Sequence, residues 1–403
     1  MPNINLTHQV IAREAAKLFE EAAPFTMGIN KGRQEEFGKE SGGFKNGDSV
    51  RIKIPSVNQV FDGSTYAGGG AGDSNQETSI NLVLDGRKHM ALQFSAKEKL
   101  LDIAEYKERI LKPQMQTLAA AVEADLLTRA YQTVYNLVGT PGTIPSTMKT
   151  YAQARAKLQN FLTPDGDRRT LFTSDSNTEL VDASRALFNP VSEIEKQYMK
   201  GVVGEAQNAK FFEHQSMPIH TNGNKVVGVT VGAASQTGSN LSVGGVASGD
   251  TFKKGTVFTI AGLFAVHPLT GVPYSSLQQF TITADVTSGG VTAVLPISPA
   301  ITPAAPNKTV SGSPAAAAAL VFVGAANASL RQNLMFQKDA FTAAFAPLPV
   351  LASLEGYTAR LPSGVSIRVM DFADGKADNE FTRIDILYGF AAPRAMFASR
   401  ITE

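Results

Sequence analysis

The run from residue 102 to residue 137, DIAEYKERILKPQMQTLAAAVEADLLTRAYQTVYNL, is the only long stretch with an uninterrupted helical apolar period, and it constrains everything around it. Leu111, Met115, Leu118, Val122, Leu126, Ala130, Val134 and Leu137 recur at spacings of three and four, which places one apolar stripe along one face. Glu108, Gln116, Glu123, Arg129 and Gln132 fall mainly on the other sides. Ala119 to Ala121 raise helix propensity and let another element approach closely. Asp102 is the expected N-cap. Pro113 removes a backbone donor and biases Lys112 away from helix, so a kink, or a short helix followed by a long one, is expected there. From Pro113 to Leu137, at about 1.5 Å per residue, the rod spans roughly 37 Å, long for a compact domain. Gly139, Pro141 and Gly142 are expected to end it.

Ahead of this helix, residues 9–21 form a short amphipathic helix with Val10, Leu18 and Phe19, followed by Pro24 and Gly28, and read as an arm. A Gly-rich charged connection leads to a strand at 49–55, where Val50, Ile52 and Ile54 alternate with Arg51 and Lys53, the pattern of a half-exposed strand. Residues 56–77 are rich in Gly and Ser, with Phe61 and Tyr66 as the only aromatics, and Ile80, Leu82 and Leu84 alternate on the return. The simplest reading is a long hairpin with a flexible tip, and an isolated hairpin is marginal in water. It needs something to lie on. Phe61 and Tyr66, with Arg51 and Lys53 nearby, are therefore the candidate contacts to a neighbouring subunit. A further strand at 88–94 leads into the long helix.

Beyond the helix the pattern is mixed: a helix at 151–161, a strand at 170–173, capping signals opening a helix at 174–187, a helical turn at 192–199, and loop, strand and loop over 201–221. Composition then changes abruptly. From 226 to 330 only Asp250, Lys253, Lys254, Asp285 and Lys308 are charged, and short alternating runs at 226–231, 256–260, 280–284 and 291–295 are separated by Gly, Pro and Ser-Gly turns. This describes a small barrel or sandwich inserted as a separate domain. Residues 302–319, rich in Pro and Ala, read as an extended or mobile connection. After 333 the mixed character returns, with Val365, Ile367 and Val369 facing Ile384, Ile386 and Tyr388 in a hairpin. The last segment reads as an ordinary apolar strand with Arg394 and Arg400. The division is 1–46, 47–101, 102–138, 139–225, 226–330 and 331–403, an α+β domain interrupted by an all-β insert.

With 403 residues, more than one domain is expected. The 37 basic and 36 acidic residues give a net charge of +1, which excludes a polyanion-binding protein that works through a basic field. Charged residues make up 18% of the chain, below the usual ~25%, so neutral surface covered by partners is expected. The absence of cysteine excludes disulfides, thiol nucleophiles and Cys-ligated metals. The opening MPNINLTHQV lacks the regions of a signal peptide, and no window approaches 18 apolar residues, so cytoplasmic synthesis and no membrane span are expected. No G-x-S-x-G, H-E-x-x-H or phosphate-cradling loop is present, and the glycine run at 68–72 does not fit G-x-G-x-x-G. Asp371, Asp374, Asp378 and Glu380 fit an acidic hairpin turn better than a calcium loop. His8, His89, His214, His220 and His267 read as surface or loop residues. No catalytic residue, cofactor or metal is assigned.

The order of these parts resembles the tailed-bacteriophage major capsid protein fold, shared with herpesviruses, in its coat-protein branch with an inserted β-barrel. Four stretches carry the likeness. YKERILKPQMQTLAAAVEADLL, 106–127, looks like the start of the family's spine helix, preceded by parts like its N-arm and E-loop. GVVGEAQNAKFFEHQSMPIHT, 201–221, resembles the axial-domain segment leading into the insert. FKKGTVFTIAGLFAVHPLTG, 252–271, with LQQFTITA, 277–284, is similar to the inserted barrel. NLMFQKDAFTAA, 333–344, with RIDILYGFAAPRAMFASRI, 383–401, looks like the return through axial and peripheral domains.

The resemblance implies an icosahedral shell of hexamers and pentamers, assembled with a scaffolding protein in the host cytoplasm, and double-stranded DNA packaged later through a portal protein. Arm and hairpin use the residues ahead of the spine, so a separate scaffolding protein is expected. The near-neutral charge fits DNA held only by weak non-specific proximity. The alternative is a secreted or surface carbohydrate-binding β module, suggested by the Gly/Ser/Thr-rich insert and disfavoured by the absence of tryptophan.

Overall fold

The computed structural model describes residues 8–32, 40–41, 44–45, 49–55, 77–95, 107–184, 204–305, 307–374 and 379–403. In chain order the elements begin with helices α1 (His8–Ala22) and α2 (Pro24–Gly28), then strands β1 (Ser49–Ile54), β2 (Thr78–Val83) and β3 (Gly86–Ser95). A π-helical turn, Lys107–Leu111, opens directly into α3 (Lys112–Thr133). There follow β4 (Leu137–Val138), α4 (Met148–Asn160), β5 (Arg168–Phe172), α5 (Ser174–Ser184), β6 (Glu205–Ala206), β7 (Ala209–Glu213) and β8 (Ile219–Thr221). The insert holds β9 (Thr230–Val231), β10 (Gly238–Gly244), β11 (Val257–Val266), β12 (Pro273–Ile282), β13 (Thr292–Ile301) and β14 (Leu320–Phe322). The chain closes with β15 (Ser329–Gln337), β16 (Thr342–Phe345), β17 (Glu355–Arg360), β18 (Ser366–Asp374), β19 (Asn379–Ala391) and β20 (Ala398–Thr402).

These elements fall into two compact units, one of residues 1–52, 79–127 and 341–393, the other of 53–78, 128–340 and 394–403. All eight residues of the apolar stripe are buried. The helix nevertheless stops at Thr133, short of the expected Gly139, because the next residues are claimed by a sheet. Leu137 and Val138 pair in parallel with Arg400 and Ile401, and the Asn136 carboxamide donates to the carbonyls of Met396 and Ala398, both at 3.2 Å. Gly139, at φ +96°, is needed for that pairing, since a Cβ there would lie 2.7 Å from the Thr402 carbonyl. Pro113 sits in the first turn of α3, where its missing N–H is no loss, so the proline marks a junction of short and long helix. The expected cap Asp102, the turn at 192–199 and the glycine run at 68–72 lie outside the described residues.

In the first unit a five-stranded sheet runs β16-β19-β18-β17, with β3 on the other edge of β19. Val369 pairs with Ile384, as the alternation over 365–388 requires, and this buries Ile367, Val369, Ile384, Ile386 and Tyr388 on one face. The N-terminal helix is not a free arm. Ala12, Ala15, Ala16, Leu18 and Phe19 are buried where α1 packs on β17 and β18. An aromatic chain runs from Phe25 to Phe341 and on to Phe390, and Phe345 bridges Phe19 and Tyr388. Glu123, read from its position as a solvated residue, is buried. It accepts from the backbone N–H groups of Phe25 and Thr26 and from the Thr26 hydroxyl, at 3.1, 2.7 and 2.5 Å, and so satisfies donors at the start of α2.

In the second unit a seven-stranded sheet runs β4-β20-β15-β5-β7-β6, with β8 also on β15. Met335 and Ile401 of this sheet pack with Tyr151, Ala154 and Leu158 of α4. The insert is a barrel, ordered β9-β10-β13-β12-β11-β14, with its own core of Phe252, Phe258, Phe280, Leu241 and Leu295 among others. Its ring is closed by residues 317–320, whose backbone exchanges hydrogen bonds with 229–231. Residues 317–319 of the segment read as a connection are therefore part of the wall, and Val310 is fully buried in the core and paired with Ala265. The final strand is not ordinary either: all of β20 is buried, Arg400 included.

Candidate functional site: the hairpin base and the seat of the barrel

Alternation in β1 turns Val50 and Ile52 inward and Arg51 and Lys53 outward, as the sequence requires. Ile52 and Leu82 pack with Ala344 and Ala391, and Ile80 and Leu84 cover the cluster, so the hairpin base rests on its own chain. Gly389 permits this: a Cβ there would lie 2.3 Å from the Val83 carbonyl. Lys53 Nζ meets Glu77 at 2.8 Å, with both side chains more than half exposed, a pair worth less than about 1 kcal/mol. Arg51 is exposed beside it. Phe61 and Tyr66 lie outside the described residues.

A second constellation lies where the barrel meets the seven-stranded sheet. His220, on β8, presents Nε2 at 3.1 Å from both Asn222 Oδ1 and Thr256 Oγ1. Its ring stands edge-on to Tyr131 of α3, centroids 5.7 Å apart. The Arg400 guanidinium lies over the same Tyr131 ring at 5.8 Å and donates from Nη1 to the Gly255 carbonyl at 2.8 Å. Gln279 of β12 accepts from Leu137 N–H at 2.9 Å and donates to its carbonyl at 3.0 Å, which continues β4 into the barrel wall. Lys157 of α4 donates to the Leu137 carbonyl at 2.8 Å and to Gln279 Oε1. Tyr274 Oη donates to the Asn160 carbonyl at 3.0 Å.

Burial dominates the electrostatics of this seat. It pushes Arg400 down to about 9 and Lys157 down to about 8. It pushes His220 down to about 4, with Arg400 as the second cause. All three shifts follow from removing a cation from water. His220 and His214 are thus buried, against the surface reading. His214 Nδ1 accepts from Ser216 N–H at 3.1 Å, and the His214 backbone N–H donates to the Phe172 carbonyl. A separate buried ion cluster centres on Asp385, which accepts from Arg368 at 2.7 Å, Arg383 at 3.0 Å and Arg87 at 3.4 Å. Burial alone would raise its pKa, and the guanidinium groups of Arg368 and Arg383 more than reverse this, holding it below the usual carboxylate range.

The Thr256 hydroxyl meets the His220 imidazole at 3.1 Å, but both side chains are buried away from solvent. A cleft of about 220 Å³ between the 139–147 loop and α4 is lined by Thr140, Thr143, Ser146, Thr147, Thr150 and Gln153 without any acid, base or histidine. Among the described residues no group of three or more metal-ligating side chains is assembled, and no helix is long and apolar enough to cross a membrane. What the arrangement provides is attachment, of the hairpin to its sheet and of the barrel to its seat.

The family model described as P22 coat protein, gene protein 5, matches residues 44–397, which includes the hairpin, the long helix, the whole insert and nearly all of the return. No curated protein matches the sequence. Among solved structures, that of Mycobacterium phage Che8 is similar with 12% identity and a TM-score of 0.47 over 93% of this chain and 89% of that one. The capsid structure of the cyanophage P-SCSP1u gives 12% identity and a TM-score of 0.42 over 94% and 98%. The virus-like particle from Pyrococcus furiosus gives 6% and 0.39 over 97% of both.

Proposed function

Because the chain belongs to the P22 coat protein family and is a tailed-phage major capsid protein, a structural subunit of the virion shell, we propose that it builds an icosahedral procapsid of hexamers and pentamers. Assembly takes place in the host cytoplasm with a scaffolding protein. A portal protein then admits double-stranded DNA, which the shell holds by weak non-specific proximity. The chain performs no catalysis of its own. The observation that carries this reading is the match over 44–397, which spans both sides of the insert as well as the insert itself.

Within the shell, the hairpin of one subunit lies across the next, with Phe61 and Tyr66 as anchors and Arg51 and Lys53 on the contacting strand. A hairpin whose base is fixed on its own core, with a basic face left to solvent, supports that use. Contacts of this heterologous kind close into rings and shells. Sedimentation and negative-stain microscopy of the purified chain, alone and with its scaffolding protein, test the proposal. Uniform closed shells or capsomers are expected. A chain that stays monomeric at high concentration with scaffold present refutes it.

A further inference from the structure

The barrel is joined to the rest of its unit by a neck of two chain segments, and Asn222 holds them together. Its N–H donates to the Ala328 carbonyl and its carboxamide to those of Val323 and Ala325, each at 3.0 Å, while Asn327 N–H donates to the Gly223 carbonyl at 3.1 Å. Gly223 is required, because a Cβ would lie 2.0 Å from the Thr251 carbonyl. His220 ties this neck to the barrel floor through Asn222 and Thr256. Since the Asn222 amide nitrogen is spent on two carbonyls, its Oδ1 faces the imidazole as an acceptor. This assigns the proton to Nε2 and leaves Nδ1 as the basic nitrogen.

The titratable and charged groups around this ring come from three elements. From α3 comes Tyr131, at the ring edge. From β20 comes Arg400, whose partner is a carbonyl and whose Nε and Nη2 find no acceptor among the described residues. From the barrel comes Asp285, already engaged by the Lys254 N–H at 2.7 Å and by Lys253 at 3.3 Å. The ring therefore shares a buried seat with one cation, and the acid that faces it is committed elsewhere.

We propose that the neck is an acid-sensitive joint with His220 as its switch: the neutral imidazole latches the neck to the barrel floor, and the imidazolium, held beside Arg400, releases it. The sign follows from burial. The seated ring binds its proton only near pH 4, whereas a released ring binds it near 6.5. Between those values the released state holds more protons, so the latch is at full strength above pH 6.5 and weakens as pH falls toward 4. The barrel has a closed ring and a core of its own, so release at the neck changes its placement while its interior persists.

The chain contains no cysteine, so a pair introduced at exposed positions, Glu179→Cys on α5 and Val294→Cys on the barrel, can be spin-labelled in the full-length protein. Pulsed electron paramagnetic resonance is expected to give one narrow distance at pH 7.5. A second, broader population should grow as pH falls from 6.5 to 4, reversibly, and be absent in H220Q over the same range. A distribution in the parent pair that does not change down to pH 4, or an unchanged transition in H220Q, overturns the proposal. Should H220Q fail to fold by circular dichroism, R400M fills the space of the guanidinium and removes the facing cation, and it is expected to lower the midpoint by about half a pH unit, a threefold change in proton concentration. A midpoint in R400M that is unchanged or raised overturns the proposal equally.

Discussion

Arg400 on β20 donates to the carbonyl of Gly255 in the barrel at 2.8 Å, so the last strand of the seven-stranded sheet is fastened to the insert by a buried cation. Arg400→Ala is expected to cost about 2–4 kcal/mol, from the cavity under Tyr131 and the carbonyl left without a donor. Arg400→Met fills the same space and removes a costly desolvated charge, so it should stay within about 1 kcal/mol of the parent. Urea denaturation of the two variants checks the order.

Asp385 is expected to behave in the opposite way. Asp385→Asn leaves Arg368 buried without a carboxylate and should cost about 3–5 kcal/mol. Its depressed pKa also fixes a pH dependence. The stabilisation is fully present above the unfolded carboxylate value of about 3.9 and is lost as pH falls through the lower folded value. The difference in stability between parent and variant, followed by chemical denaturation from pH 6 downward, should shrink in that window.

Lys157 gives a rise with pH. Its folded pKa of about 8 lies below the unfolded value of about 10.4, so the unfolded chain holds more protons between them and stability increases as pH rises. Tyr135 and Tyr151, whose pKa values burial raises, act in the other direction above pH 10. The comparison is therefore made from pH 8 to 10, where Lys157→Met should abolish part of the rise. Equal slopes in parent and variant would show that Lys157 is not desolvated.

Gly389→Ala places a methyl group against the Val83 carbonyl, which cannot swing aside as a side chain would. The hairpin base should separate from its sheet, with faster proteolysis between residues 55 and 77 and a loss of shell yield exceeding any loss of secondary structure.

The helix stripe and the strand alternations at 49–54, 80–84 and 365–388 are legible because one face of each element is buried, and burial imposes a period. The insert is legible from its lack of charge. Arg400, His220 and Glu123 are not, since each is a charged or titratable side chain whose partners are backbone groups or neutral side chains, most of them far away in sequence. No spacing announces such a partner, and the residue type argues for solvent. The end of α3 is hidden for the same reason: Leu137 keeps the helical period, but Arg400 and Ile401, more than two hundred and fifty residues later, take its backbone. Among the proposed contacts, Arg51 and Lys53 face outward as alternation demands, whereas Phe61 and Tyr66 lie beyond the described residues.

The hydrogen bonds between 317–320 and 229–231 that complete the barrel have a consequence for crowding. An open sheet carries unpaired amides along its margins, and many copies held side by side would offer one another templates for strand addition. A continuous ring removes those margins. Any contact between neighbouring barrels would then run through loops and outward side chains such as Val294 and Val321, and could be tuned by substitution without the hazard of runaway pairing.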